Sequence, residues 1–252
     1  MKVILRGIRT EFLKMRHTLL YPLSIAIPLL ASGLFLLYYR FAGWSEQAQI
    51  SGYMELAGMA LPFLVSVLCA GNIRLEEQNH FQFFLGSYPH KWNGLAVKGL
   101  ALAGLCLSSI SSGVFLFGTG YRVLLGKEGL SASWYLWMIL VLFLGSVPLY
   151  LEHLFWNLQF SGTISQCVGV SQSLLSALFL TGLGEGRWKF FPCTWSARGV
   201  MLLCGRIAQN KTDSFFFDLK ETGWVICPLL FVLFCAIIGL WFHFYEGRQC
   251  ND

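Results

Sequence analysis

Charge is what this 252-residue sequence has least of: Asp, Glu, Lys and Arg make up only 12% of it, about half the share in an ordinary soluble domain. Thirteen acids and eighteen bases cannot clothe a 28.4 kDa globule, while 56% of the residues are hydrophobic and 16% aromatic. The mean hydropathy of +0.60 agrees. These numbers exclude a soluble enzyme or nucleic-acid binder and point to lipid as the solvent. The scarcity is also local. Stretches 18–39, 56–73, 99–121, 129–151, 153–184 and 222–245 contain no Asp, Glu, Lys or Arg at all, and about 20 apolar residues suffice to cross a hydrocarbon core roughly 30 Å thick.

Other absences narrow the chemistry. No small-x-small cleavage site follows the first apolar run, and the first 17 residues are long and charged for a signal peptide, so the N-terminus is expected to be retained. No HExxH or GxSxG occurs. The nearest approach to a phosphate loop, Gly120 to Glu128, has five residues between its glycines and Glu128 where Ser or Thr must meet a metal. Cysteines are not scarce, but Cys69, Cys106, Cys167, Cys227 and Cys235 fall inside the apolar stretches with no zinc spacing. They read as packing residues, which leaves Cys193 and Cys204 as the pair able to meet outside the membrane.

What is present organises as one all-α integral membrane domain over 1–252. Ile4, Ile8, Phe12 and Met15 recur at helical spacing, with Lys2, Arg6, Arg9 and Arg16 on another face. Residues 1–17 thus read as an amphipathic interfacial helix, apolar side in the acyl boundary, or as a merely basic juxtamembrane segment. Six transmembrane helices follow, over about 18–39, 53–73, 94–118, 133–151, 160–183 and 223–245. An even number puts both termini on one side. Basic residues at the N-terminus, together with Arg74, Lys91 and Lys98, outnumber Arg40, Arg122 and Lys127 opposite, so both termini are placed in the cytoplasm. That makes 74–93 a cytoplasmic loop and 184–222 an external one, within which Val200 to Ile207 is apolar enough for a re-entrant helix. Such a helix needs partner surface.

Two regions carry candidate function. In the 74–93 loop, Phe81, Phe84 and Leu85 share a helical face preceded by Glu76 and Glu77, with His80 between. An exposed aromatic knob of this kind transmits motion to another subunit; the same aromatics equally suit resting on the bilayer. In the fifth helix, Gly162, Gln166, Gly169 and Ser173 form one face with Gln172 beside it, suited either to helix packing or to lining a substrate path. No helix centre carries a formal charge, which argues against an ion-coupled carrier and for energy supplied from outside the membrane. An intramembrane protease is a further possibility on Glu76, Glu77, His80, His153 and Asn157, although Phe81 stands where its motif wants Arg.

In the order and spacing of Glu11-Phe-Leu-Lys-Met-Arg16, Glu76 to Leu85 with Pro89 and Lys98, Asn157 before a Gly/Ser-rich helix, and Pro192-Cys-Thr-Trp195, the chain resembles the ABC-2-type transporter permeases, and among them the lantibiotic-immunity permeases. It departs from them where Cys193 and Thr194 separate proline from tryptophan, and where His80 stands in place of a glycine. The resemblance implies a type V exporter-like fold and a non-enzymatic permease. Two copies of a separate ATPase subunit would bind ATP and magnesium, so this chain would hold no cofactor. A second homologous permease would complete the assembly, in the cell membrane of a Gram-positive bacterium. The cargo would be a lantibiotic-like antimicrobial peptide, expelled for self-immunity or resistance, or another amphipathic or lipid substrate. Glu76, Glu77, His80, Phe81, Phe84 and Leu85 would meet the ATPase. Trp44, Trp134, Tyr135, Trp188 and Trp195 would offer an aromatic surface, or form the interfacial belt common to membrane proteins.

Overall fold

The computed structural model describes residues 2–88, 90–208, 223 and 225–247. Among these, regular structure is helical throughout: α1 (Lys2–Arg16), α2 (Leu20–Phe41), α3 (Glu46–Glu77), α4 (Gln82–Gly86), α5 (Lys91–Val123), α6 (Ala132–Gln159), α7 (Gly162–Phe179), α8 (Trp195–Ala208) and α9 (Ile226–Phe244), with three 3₁₀ turns between α7 and α8. Five of them, α2, α3, α5, α6 and α9, are long and apolar enough to cross a membrane, as expected of a multi-pass membrane protein.

The helix expected over 160–183 forms as α7 and falls just outside these five. α6 runs on to Gln159, the chain turns at Phe160 and Ser161, and α7 stops four residues before the expected end, which leaves 18 residues, about 27 Å of rise. Gln166, Gln172 and five serines and threonines make it too polar to rank with the other five. α7 packs along α3. Gly162 lies beside Ala70, and at Gly169 an added Cβ would fall 2.5 Å from Ser66 Oγ.

The α7–α8 connection turns inward. A Cβ on Gly58 would lie 2.6 Å from Ala197 Cα, and one on Gly145 would lie 2.6 Å from the Ser196 nitrogen. α8 therefore starts against the middles of α3 and α6, and the partner surface for this re-entrant piece is the chain's own. Expected over 200–207, the helix begins five residues earlier, at Trp195; residues 209–222 of the expected external loop, and Pro89, lie outside the described residues. Cys193 and Cys204 are both buried free thiols. Eleven residues of turn and helix hold them roughly 15 Å apart, too far to bridge.

The amphipathic face of α1 also finds protein rather than lipid. Met15 is fully buried and Ile8 and Phe12 pack on the core, with Phe12 seated over Gly104 of α5. Arg6, Arg9 and Arg16 stay exposed. At the opposite end of the bundle, Tyr53 and Phe117 stack at 4.0 Å, and Ser32 Oγ lies 2.7 Å from Tyr53 Oη and donates to the Gly113 carbonyl. Tyr121 donates to Gln49 Oε1 at 2.7 Å.

Candidate functional site

At the α1 end of the bundle, α1, α3 and α5 meet in an ionic cluster. Lys98, in the third turn of α5, is 1% exposed. Its ammonium has three protons to give and three acceptors: Glu11 Oε2 of α1 at 2.9 Å, Asn72 Oδ1 of α3 at 2.9 Å and Glu76 Oε1 of α3 at 3.0 Å. Lys14, one turn after Glu11, closes the ring with 2.9 Å to Glu11 Oε1 and 2.8 Å to Glu76 Oε1. Two carboxylates and two ammoniums cancel, which is what permits burial of Glu11, Glu76 and Lys98, with the Lys14 side chain at the exposed rim.

Burial alone would raise the Glu11 carboxyl, but Lys98 and Lys14 outweigh it and hold it below the ordinary glutamate range. Burial would likewise lower Lys14, and its hydrogen bonds to Glu76 and Glu11 reverse this and raise it. Arg6, Tyr88 and Gly94 join this cluster in lining a cavity of about 820 Å³ between α1, the end of α3 and the start of α5.

The segment after α3 is fixed to the same corner. The Phe81 N–H donates to the Glu76 carbonyl and the His80 N–H to that of Glu77, both at 3.0 Å. That pair of bonds is a Schellman helix end, whose C′ residue is left-handed and usually glycine. His80 occupies it with φ 48°, and Phe81 follows with φ 59°. His80 therefore fills a position that favours glycine, at a steric cost.

The expected exposed aromatic knob is corrected: Phe81 is fully buried and Phe84 nearly so. Phe84 lies under the Lys98 ammonium, 5.4 Å from its ring centroid, and 5.8 Å from Phe242 of α9. Glu76 is equally inward, 2% exposed. Apolar rings fold back because the bundle offers them α5 and α9 to cover. Of the residues expected to meet another subunit, His80 is exposed and Glu77 half-buried; the Leu85 side chain lies outside the described set.

The residues singled out on α7 divide between two neighbours. Gly162 and Gly169 admit α3 closely, and Ser173 Oγ accepts the Phe63 N–H at 3.2 Å, beside Pro62. Gln172 turns to α6, where its Nε2 donates to Glu152 Oε1 and its Oε1 lies 3.2 Å from His153 Nε2. On the other ring edge, His153 Nδ1 lies 3.1 Å from Ser165 Oγ, which accepts from Asn157 Nδ2 at 2.8 Å. This bonding pattern assigns a neutral imidazole, Nε2 protonated. Gln166 is half-buried and stands apart from this seam. Four of the five α7 residues therefore touch a neighbouring helix.

The protease-like set is not assembled: both His153 nitrogens are occupied by α7, and Glu76 is held by two lysines at the α1 corner. Among the described residues no three His, Cys, Asp or Glu side chains gather as a metal site.

Sequence reasoning met Glu11 and Lys14 only within the Glu11–Arg16 motif, without a partner, and passed over Asn72. One signal was present, the Glu11–Lys14 spacing of three on a helix, together with Lys98 as a lone cation entering an otherwise charge-free run. Comparisons with protein-family models, curated proteins and solved structures find no match for this chain.

Proposed function

We propose that this chain is a membrane-spanning permease subunit of an ATP-driven exporter of the ABC-2 type, which expels a lantibiotic-like antimicrobial peptide from the membrane. Two copies of a separate ATPase subunit would bind ATP and magnesium beneath it, and a second homologous permease would complete the pathway. Both termini then lie in the cytoplasm of a Gram-positive cell. The observation that carries this reading is Lys98 bonding at once to Glu11 of α1 and Glu76 at the end of α3. A surface helix and an interhelical turn joined by buried charge to a membrane helix make one rigid lever, able to pass a push at the turn into α3 and α5.

The absence of formal charge from the middle of every apolar helix supports an external energy source. Glu77 and His80 present the turn's outer edge to the ATPase, while Phe81 and Phe84 transmit inward. An open apolar groove of about 310 Å³ between α6, α8 and α9, walled by Trp137, Trp188 and Trp195, suits an amphipathic peptide or lipid, the alternative cargo class.

Co-expression with the neighbouring reading frames tests the proposal. Tagged protein is expected to bring down an ATPase and to confer peptide resistance, and Glu77→Lys with His80→Glu is expected to weaken both. Failure to recover any ATPase, or resistance that persists without one, would overturn it.

A further inference from the structure

The cavity at the α1 corner has an unbalanced wall. Arg6, Thr10 and Lys14 recur every four residues on α1 and line it together, with His17 further along the same helix end. Three of its lining cations, Arg6, Lys14 and Lys98, face two carboxylates, Glu11 and Glu76. Both carboxylates are already bound to the two lysines, at 2.8 to 3.0 Å. Arg6 takes part in none of these four ion pairs among the described residues, and it is exposed. The surplus positive charge of the cavity is therefore Arg6, on an accessible side chain.

Two further donors stand on the same wall. Tyr88 Oη lies 2.6 Å from where a Cβ on Gly7 would be, so the hydroxyl is held against the residue next to Arg6. Lys14 gives two of its three ammonium protons to Glu11 and Glu76, while its side chain is 38% exposed. A guanidinium grips two oxygens of a phosphate or carboxylate in parallel. The ligand that fits this edge accepts hydrogen bonds from several sides and carries one negative charge.

Size and surroundings name the rest of the ligand. At about 820 Å³ the cavity falls in the range of sites that hold whole small molecules, far more than an inorganic ion needs, and Leu75 and Phe84 give it apolar walls. It is lined from the end of α3, the start of α5 and Thr18, two residues before α2, so three apolar helices begin or end around it. On α1, Leu5 and Leu13 are 62% and 51% exposed among the exposed Arg9 and Arg16, a mixture suited to a headgroup boundary. Basic pockets between membrane helices hold anionic headgroups. We propose that this cavity binds the phosphodiester of a monoanionic phospholipid, Arg6 and the Tyr88 hydroxyl donating to its phosphate oxygens and the third Lys14 proton completing the cradle. Free phosphate shares that chemistry but has no chains for the apolar walls. Lipid binding here requires no ATPase at the Glu77–His80 edge.

Full-length protein in detergent, titrated with phosphatidylglycerol or phosphatidylcholine and read by native mass spectrometry of retained lipid, tests this. Phosphatidylglycerol is expected to bind at least about tenfold tighter, one decade in Kd. Arg6→Gln alters an exposed side chain that is in no described ion pair, so the fold is left intact; it should lose most of that preference, and Tyr88→Phe a smaller part. Arg9→Gln removes the same charge from the same helix outside the cavity lining and should keep the preference. Excess inorganic phosphate should leave the lipid in place. Equal retention of the two lipids, an unchanged preference in Arg6→Gln, or an equal loss in Arg9→Gln overturns the proposal. Displacement of the lipid by inorganic phosphate overturns it as well, by making the free ion the ligand.

Discussion

Lys98 on α5 and Glu11 on α1, 87 positions apart, meet at 2.9 Å inside the protein, each less than 5% exposed. The contact ties a surface helix to a membrane helix through charges that have left water. Such a pair is costly to break from one side, because removing one member strands the other in a medium that cannot solvate it.

Lys98→Met is therefore expected to destabilise the protein by about 3–5 kcal/mol, the usual penalty for leaving a buried charge unpaired. Adding Glu11→Gln and Glu76→Gln to it removes the stranded carboxylates and should recover most of the loss. Thermal unfolding in detergent measures both. A single variant as stable as the parent, or a triple variant worse than the single one, would contradict a buried ionic cluster.

The same cluster sets a pH window. Glu11 has a lowered pKa, so its contribution is fully present above the unfolded value and is lost as pH falls through the folded one. Lys14 has a raised pKa, so its contribution is fully present below the unfolded value and is lost as pH rises through the folded one. Stability should plateau between about pH 5 and pH 10 and fall on both sides, given ordinary values near 4.3 and 10.4. Glu11→Gln should flatten the acid limb. An acid limb of the same depth in that variant would show that other carboxylates govern it.

His80 offers a gain rather than a loss. Its φ of 48° sits where a Cβ crowds the backbone, at a cost of roughly 1–2 kcal/mol for an L-residue. Part of that is returned when glycine loses more freedom on folding. His80→Gly should raise stability by about 0.5–1 kcal/mol, while His80→Val, β-branched, should lower it. Melting temperatures in the same detergent decide the order, and Val above Gly would show that the left-handed turn does not form.

How far the sequence disclosed this arrangement depends on the range of each signal. The long apolar runs needed no tertiary knowledge, because lipid selects length and apolarity alone; α2 begins and ends within two residues of its expected bounds. α3 starts seven residues early because Ser45 caps it, accepting the Ala48 N–H, and one cap outranks a charge count. The break before the 160–183 helix was legible, but α6 runs eight residues past its expected end at 151, to Gln159, because a charge-free run with glutamine and serine does not mark where one helix stops. The α1 corner stayed hidden for a different reason: Glu11, Asn72, Glu76 and Lys98 come from three helices, and no periodicity reports a contact across 87 positions.

The inward start of α8 rests on two glycines, which makes it testable at single atoms. A methyl at position 58 would lie 2.6 Å from Ala197 Cα, and one at position 145 would lie 2.6 Å from the Ser196 nitrogen. Both obstacles are backbone and cannot rotate away. Gly58→Ala and Gly145→Ala should each cost about 1–3 kcal/mol as overpacking and push α8 outward. Gly33→Ala on α2 meets nothing within 4 Å and should be neutral or gain up to about 1 kcal/mol in helix propensity. Displacement has its own readout, because Cys204 on α8 is a buried thiol and should become reactive to a maleimide as α8 leaves α3 and α6. If both variants match the Gly33→Ala control in stability and keep Cys204 protected, α8 does not start against the middles of α3 and α6.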